Sequence, residues 1–307
     1  MEDSMRMRIP VITGCTAVGK TAAAFYIAEH RSNVEIISAD SRQLYRGMDI
    51  GTAKPTADEL KRFPHHMIDV ADPDVLLSAM WFAEKAMKII DDILSRGSIP
   101  LVVGGSGLYV MSLAGLLDPL PPRNDDLRNS LLSLENAVPG SLHRLLHGLD
   151  RKEAARTGNT DRVRLIRALE IALLSGEKPS ILKRGGNLDN RFRFVFIEKD
   201  NTVLRDGVKR RTSSMLSDGL LDEVKGLLER GYRRDPVLGV TIGYSELIDY
   251  LEGLCSLQEA QTAIETHTWQ YARKQRNMFR RLPGVVSVSS DPVLVEAALF
   301  GERRTDG

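Results

Sequence analysis

The chain has 307 residues, and its 42 Lys and Arg against 41 Asp and Glu leave a net charge of +1, too small to imply any partner. A hydrophobic content of 42% supports a sizeable core, in one large domain or two modest ones, and excludes general disorder. No apolar run approaches the ~18–20 residues of a membrane span; residues 1–8 do not read as a secretory signal, and two cysteines, Cys15 and Cys255, fit a reducing cytoplasm rather than a disulfide framework or a metal cluster.

The first apolar run, Ile9–Thr13, leads into Gly14-Cys15-Thr16-Ala17-Val18-Gly19-Lys20-Thr21, and a helix-compatible run, Ala22–Glu29, follows. Strand, G-x-x-x-x-G-K-[ST] and helix in this order make a phosphate-binding loop. Gly14 and Gly19 let successive N–H groups converge on one anion at the positive end of a helix. Lys20 adds a point charge on a phosphate oxygen, and Thr21 a hydroxyl for a metal ion.

Val34–Asp40 reads as a second buried strand with an aspartate at its C-terminal end, where ligands sit in an open α/β sheet. The polar stretch 41–55 has no period and reads as an ordered functional loop. His65 and His66 are adjacent, which does not suit one metal, and read as hydrogen-bonded residues at a turn. Residues Leu77–Ser95 have the pattern of an amphipathic helix with Ser78 as a possible N-cap. Pro100–Val103 is a third strand, running into the glycine-rich turn Gly104-Gly-Ser-Gly107.

From Pro119 the texture changes. Helical pattern without a convincing strand fills residues 123–190, with helices expected over Asp125–Ser133, Ser141–Gly148 and Asp161–Ser175. The last of these bears Arg162, Arg164 and Arg167. Strand character returns at Arg193–Ile197. Helical pattern then covers Thr202–Leu216, Leu220–Arg230, Glu246–Leu254 and Leu257–Phe279, with a two-glycine loop at Gly239–Tyr244. Residues 267–284 hold five Lys and Arg and no acidic residue. Interleaved with Trp269, Tyr271 and Phe279, they suit nucleic acid, although a solvated basic face has the same composition. The expected architecture is α/β: a P-loop parallel sheet flanked by helices from 1–118 and 193–307, with a helical insertion over 119–192.

On residues alone a small-molecule or nucleoside kinase stays open, with Asp40 as metal ligand, although no second apolar run ends in an aspartate. The motifs together resemble the tRNA dimethylallyltransferase (tRNA isopentenyltransferase) family. The resemblance rests on Gly14–Thr21, Ser38–Pro55, His65-His66 with Asp69 and Asp72-Pro73, Gly104–Tyr109, Arg164–Glu170, Ile242–Tyr244 and Tyr271–Gln275, in the family's order over nearly the whole chain. It implies prenyl transfer from dimethylallyl diphosphate to N6 of the adenosine 3′ of the anticodon, in tRNAs reading codons that begin with U, with Mg²⁺ assisting. Relatives that prenylate free adenine nucleotides remain an alternative.

Residue by residue, the resemblance implies that Gly14–Thr21 holds the diphosphate, Asp40 is the base, and Arg211 lies near the leaving group. Contacts to the tRNA anticodon stem-loop are implied for Asp40, Ser41, Arg42 and Gln43, the last reading a base edge. They are implied also for Ser106, Arg128, Val163, Arg164, Leu165, Ile166, Arg167, Thr241, Ile242, Gly243 and Tyr244. The family's activity implies a cytoplasmic enzyme, and no membrane or protein partner is called for, which suits a monomer. Three positions depart from the common pattern. Cys15 stands where many relatives have proline, Ser106 where threonine is common, and Gly207 where arginine is frequent, leaving Arg205 or Arg210 as possible substitutes.

Overall fold

A computed structural model describes residues 8–234 and 236–301. The chain divides into two compact units, Met1–Ala114 with Asp189–Gly307, and Gly115–Leu188.

The first unit is built on one parallel sheet. Strand β1 (Ile9–Gly14) is buried along its whole length, as its apolar sequence requires of a central strand, and the phosphate loop joins it to α1 (Lys20–His30). After β2 (Val34–Ser38) comes the long loop that reaches α2 (Ala57–Arg62), whose start is fixed by a reciprocal Thr56–Glu59 capping box. The short β3 (His65–His66) precedes α3 (Ala79–Ser95), where the Ser78 side chain accepts from the N–H of Trp81. Strand β4 (Ile99–Gly104) and α4 (Gly107–Leu113) complete this part.

The second unit consists of five helices: α5 (Asp125–Ala137), α6 (Ser141–Leu149), α7 (Arg151–Thr157), α8 (Arg162–Ser175) and the short α9 (Pro179–Leu182). Leu131, Leu142, Leu146, Ala154, Leu165, Ile166 and Leu169 form its core. The expected pattern of helices without a strand holds here among the described residues.

The chain then returns through β5 (Phe192–Ile197) to α10 (Asn201–Ser217), α11 (Leu220–Glu229), a 3₁₀ turn (Leu238–Val240), α12 (Tyr244–Leu251) and α13 (Leu257–Phe279). It closes with β6 (Val286–Val288) and α14 (Pro292–Phe300). Strand order is β3-β2-β4-β1-β5-β6. All pairs are parallel, so the strand ends at Gly14, Ser38, Gly104 and Ile197 share one edge. Two of the six strands have no periodic signal. β3 is two histidines at a sheet margin, and β6 is three residues with two of them exposed.

His66 is structural: its Nε2 lies 2.8 Å from Glu35, which also accepts from Arg96 at 2.6 Å. The Arg96 hydrogen bond holds the Glu35 carboxyl down at about 2, with burial opposing it. His65 hydrogen-bonds the Phe63 carbonyl at 2.7 Å, and burial lowers its pKa.

Candidate active site

At the carboxyl edge of the sheet the backbone of 14–21 turns through two left-handed positions, Ala17 at φ 65° and Gly19 at φ 104°. A side chain at Gly14 would come within 2.8 Å of Val18 and 3.2 Å of the Ile197 carbonyl, so β5 closes against the loop there. Lys20 donates to the carbonyl oxygens of Gly14 (3.0 Å) and Cys15 (2.7 Å). Burial lowers its pKa to about 8, and the nearby Asp40 charge works the other way. The buried Cys15 thiol donates to the Ala272 carbonyl at 3.1 Å, and burial pushes its pKa up.

Helix α13 seals this loop through Gln275, which is 3% exposed. Its Oε1 accepts from the Thr16 N–H at 3.0 Å, and its Nε2 donates to the Gly105 carbonyl at 2.7 Å. One amide therefore spans the phosphate loop and the glycine-rich turn after β4. A side chain at Gly104 would strike the Ala39 carbonyl, and one at Gly105 would sit 2.5 Å from Gln275 Nε2. Gln275 went unassigned in the sequence, although a buried-stripe position shared with Ile264, Ala272 and Phe279 and filled by an amide is a readable signal.

Asp40 follows β2 after Ala39. Its Oδ1 accepts from the Arg42 N–H at 2.9 Å. Ser106 Oγ accepts from the Ser41 N–H at 2.8 Å and donates to Ser41 Oγ at 3.1 Å, pinning the start of the loop to the β4 turn. The rest of the loop is braced from below. Lys54, 3% exposed, donates to the Tyr45 carbonyl and reaches Asp49 and Asp69, each at 2.5 Å. Glu223 accepts N–H bonds from Asp49 (2.9 Å), Ile50 (2.7 Å) and Gly51 (3.1 Å), and a hydroxyl bond from Tyr244 at 2.6 Å. This satisfied backbone is what an ordered functional loop requires.

A cavity opens between these parts. Thr16, Asp40, Ser41, Arg42 and Arg211 supply its polar lining; Met215, Leu220, Ile242 and Ile264 supply apolar walls; Thr268 and Tyr271 come from α13. Phosphate loop, carboxylate and arginine thus share one enclosure. Burial lowers the Arg211 pKa, with Asp40 opposing. Tyr271 has its phenol pKa raised, chiefly by burial and next by the Asp40 charge.

Several residues expected at an RNA surface have other work. Tyr244 is fully buried, bonded to Glu223 and packed on Gly51, so its side chain braces the loop from below. Leu165 and Ile166, 1% and 6% exposed, are core of the helical unit. Arg128 and Arg167 flank the fully buried Glu170 at 2.7 and 2.5 Å, and Arg167 also donates to the Pro121 carbonyl. Gln43 accepts from Ser38 Oγ at 2.7 Å and donates to the Thr52 and Ala53 carbonyls, so its amide is already bonded within the loop. Thr241 donates its hydroxyl to Val237 while lining the cavity with Ile242 and Gly243. Val163 and Arg164 are the exposed members of their stretch, each with about three quarters of its surface open. On α13, Arg276 is tied to Asn201 and Lys199, and Arg280 just past its end to Glu198, leaving Arg273 and Lys274 outward.

The model of the IPP transferase family matches residues 43–282. The tRNA dimethylallyltransferase of Thermotoga neapolitana is 40% identical over 280 residues, covering 91% of this chain and 92% of that protein. That of Geobacter sulfurreducens is 37% identical over 290 residues, 91% of each. This chain belongs to the IPP transferase family. Solved structures agree: the tRNA isopentenylpyrophosphate transferase of Bacillus halodurans superposes with a TM-score of 0.69 at 35% identity, over 95% of this chain and 97% of that one. A eukaryotic dimethylallyltransferase acting on tRNA gives a TM-score of 0.76 at 26% identity, over 92% and 73%.

Membership gives meaning to the three departures. Cys15 keeps its place by bonding α13, and Ser106 keeps the hydroxyl that holds Ser41. At Gly207 a side chain would point at Ala17, 3.8 Å away, so an arginine there in IPP transferases would face the phosphate loop. Arg205 lines a different groove with Lys209 and Trp269, which leaves Arg211 as the arginine of α10 that lines the cavity.

Proposed function

We propose that the protein transfers a dimethylallyl group from dimethylallyl diphosphate to N6 of the adenosine 3′ of the anticodon, position 37, in tRNAs reading codons that begin with U. The observation that carries this reading is the single cavity holding Asp40, Thr16 of the phosphate loop and Arg211. A kinase would use Asp40 as a metal ligand, whereas apolar walls from Met215, Leu220 and Ile264 beside that carboxylate suit a prenyl group.

In this reading the N–H groups of 14–21 and the Lys20 ammonium hold the diphosphate and receive charge as the C1–O bond breaks. Lys20 must leave the Gly14 and Cys15 carbonyls to do so. Arg211, with the Asp40 charge nearby, supplies a second cation. The N6 lone pair is delocalised into adenine, and the Asp40 carboxylate accepts an N6 proton as the N–C1 bond forms. Met215, Leu220 and Ile264 keep water from the electron-poor allyl carbon.

Among the described residues no group of three His, Cys, Asp or Glu could hold a metal. A divalent ion fits here as one bound mainly by diphosphate oxygens, with the exposed Thr21 hydroxyl among its ligands, which is the habit of Mg²⁺. It would supply charge neutralisation to the leaving group. Exposed Arg164, Arg273 and Lys274 suit the RNA backbone, and adenosine 37 would have to leave its stack to reach Asp40. Among the described residues no helix is long and apolar enough to cross a membrane. A tRNA substrate would place the reaction in the cytoplasm.

Purified protein with Mg²⁺ and labelled dimethylallyl diphosphate should label an anticodon stem-loop bearing A37. Asp40→Asn should lower turnover by at least about a hundredfold, as loss of a general base does, with little change in RNA affinity. Labelling of AMP but not of the stem-loop would redirect the assignment to free nucleotides, and release of phosphate from ATP would redirect it to a kinase.

A further inference from the structure

Two cavities meet in the first unit at one turn of α10. The first is the one that holds Asp40. The second lies beyond it, between α10 and the segment Ile50–Leu60 that runs into α2, with apolar wall from Ile50, Pro55 and Leu60 and polar rim from Lys54, Asp69 and Asp218. Arg211 and Met215 line both. They stand four residues apart and so project from the same face of α10. Arg211 is charged and faces the diphosphate site, so the apolar part of the wall between the cavities is the Met215 side chain. It is half-buried and packed against the cluster formed by Leu220, Val224 and Tyr244.

We infer that Met215 sets the length of prenyl chain the enzyme accepts. The inference rests on the prenyl transfer proposed above and adds the donor's size to it. With the diphosphate at the phosphate loop and C1 near Asp40, a five-carbon chain ends among Met215, Leu220 and Ile264. A ten-carbon chain carries one more isoprene unit, and in that direction Met215 fills its path. A thioether side chain with three rotatable bonds suits an irregular partition of this kind. Removing it joins the first cavity to the second, where Ile50, Pro55 and Leu60 would receive the added unit. The chemistry does not change with the donor. The C1–O bond breaks with its electron pair leaving on diphosphate, the N6–C1 bond forms, and the N6 proton passes to Asp40.

The test compares dimethylallyl and geranyl diphosphate as donors to the same stem-loop, as a ratio of kcat/KM, in the wild type and in Met215→Leu, Met215→Val and Met215→Ala. Wild type and the volume-conserving Met215→Leu should strongly prefer the five-carbon donor. Met215→Val and Met215→Ala should raise the geranyl-to-dimethylallyl ratio at least about tenfold, the least that pocket-size discrimination gives. Two truncations guard against one failing to fold, and a ratio is insensitive to a general loss of active protein. An unchanged ratio in both truncations overturns the inference, as does wild-type enzyme that uses both donors equally well. A wild type that transfers neither would overturn the prenyl-transfer reading itself, and the inference with it.

Discussion

Lys20 holds its ammonium between the carbonyl oxygens of Gly14 and Cys15, and burial brings its pKa down to about 8, against the pull of Asp40 and with Arg211 adding to the fall. A bound diphosphate places negative charge on that ammonium and raises its pKa. The complex then holds more protons than the free protein between a pH of about 8 and the raised pKa of the complex. Lys20 should therefore give diphosphate binding no pH dependence well below that pH, where the ammonium is charged in both states, and should make binding progressively weaker above it, with uptake of a fraction of a proton. Calorimetric titrations near pH 8 in buffers of different ionisation enthalpy measure that fraction directly. In Lys20→Met the uptake should vanish and affinity should drop. Uptake that persists in Lys20→Met would assign the proton to another group. Cys15 is no rival, since its thiol is buried, bonded to Ala272 and raised in pKa.

The loop from Ser41 to Pro55 shows what an element needs in order to carry a site. It has almost no regular structure, yet Glu223 on α11 accepts three of its N–H groups and the Tyr244 hydroxyl. Glu223→Gln replaces one acceptor oxygen by an NH₂ facing backbone donors. The change should cost about 2–3 kcal/mol in urea unfolding, on the scale of losing hydrogen bonds to a charged group. Dimethylallyl transfer should also fall, because Gly51 and Thr52 line the Asp40 cavity. Unaltered stability would mean that the loop is held elsewhere. This bracing was hidden in the sequence: an acidic residue in the first turn of an amphipathic helix looks like ordinary dipole compensation. The strand–loop–helix at Gly14–Thr21, the aspartate after β2 and the glycine turn after β4 were legible because each is local and keyed to backbone geometry. The burial of the Leu165, Ile166 and Tyr244 side chains was not legible, since which way an apolar residue inside a recognised motif faces depends on the packing of distant segments. β3 and β6 were missed for a simpler reason. Two or three residues are too short to show a period.

A net charge of +1 cannot by itself draw an anionic RNA to the molecule, so affinity must come from where the cations stand. The helical unit separates two kinds of arginine. Arg128 and Arg167 neutralise Glu170, whose carboxyl they hold near a pKa of about 2 against its own burial. With the Asn124 N–H, Glu170 also fastens the connector 121–124 to α8. Arg164 is about three quarters exposed, with a 3.3 Å pair to Asp161 that solvent screens. The two classes should respond oppositely to mutation. Arg164→Ala should leave unfolding unchanged and flatten the dependence of stem-loop affinity on salt, by about 0.7 in the slope of log K against log salt if it neutralises one phosphate. Arg128→Ala leaves Glu170 with one arginine in a dry site and should cost about 3 kcal/mol of stability, with the salt slope little altered. Filter binding of the stem-loop over a series of salt concentrations, paired with urea unfolding of each variant, separates the two. A stable Arg128→Ala protein with a flattened slope would return Arg128 to the RNA surface and leave Glu170 to Arg167 alone.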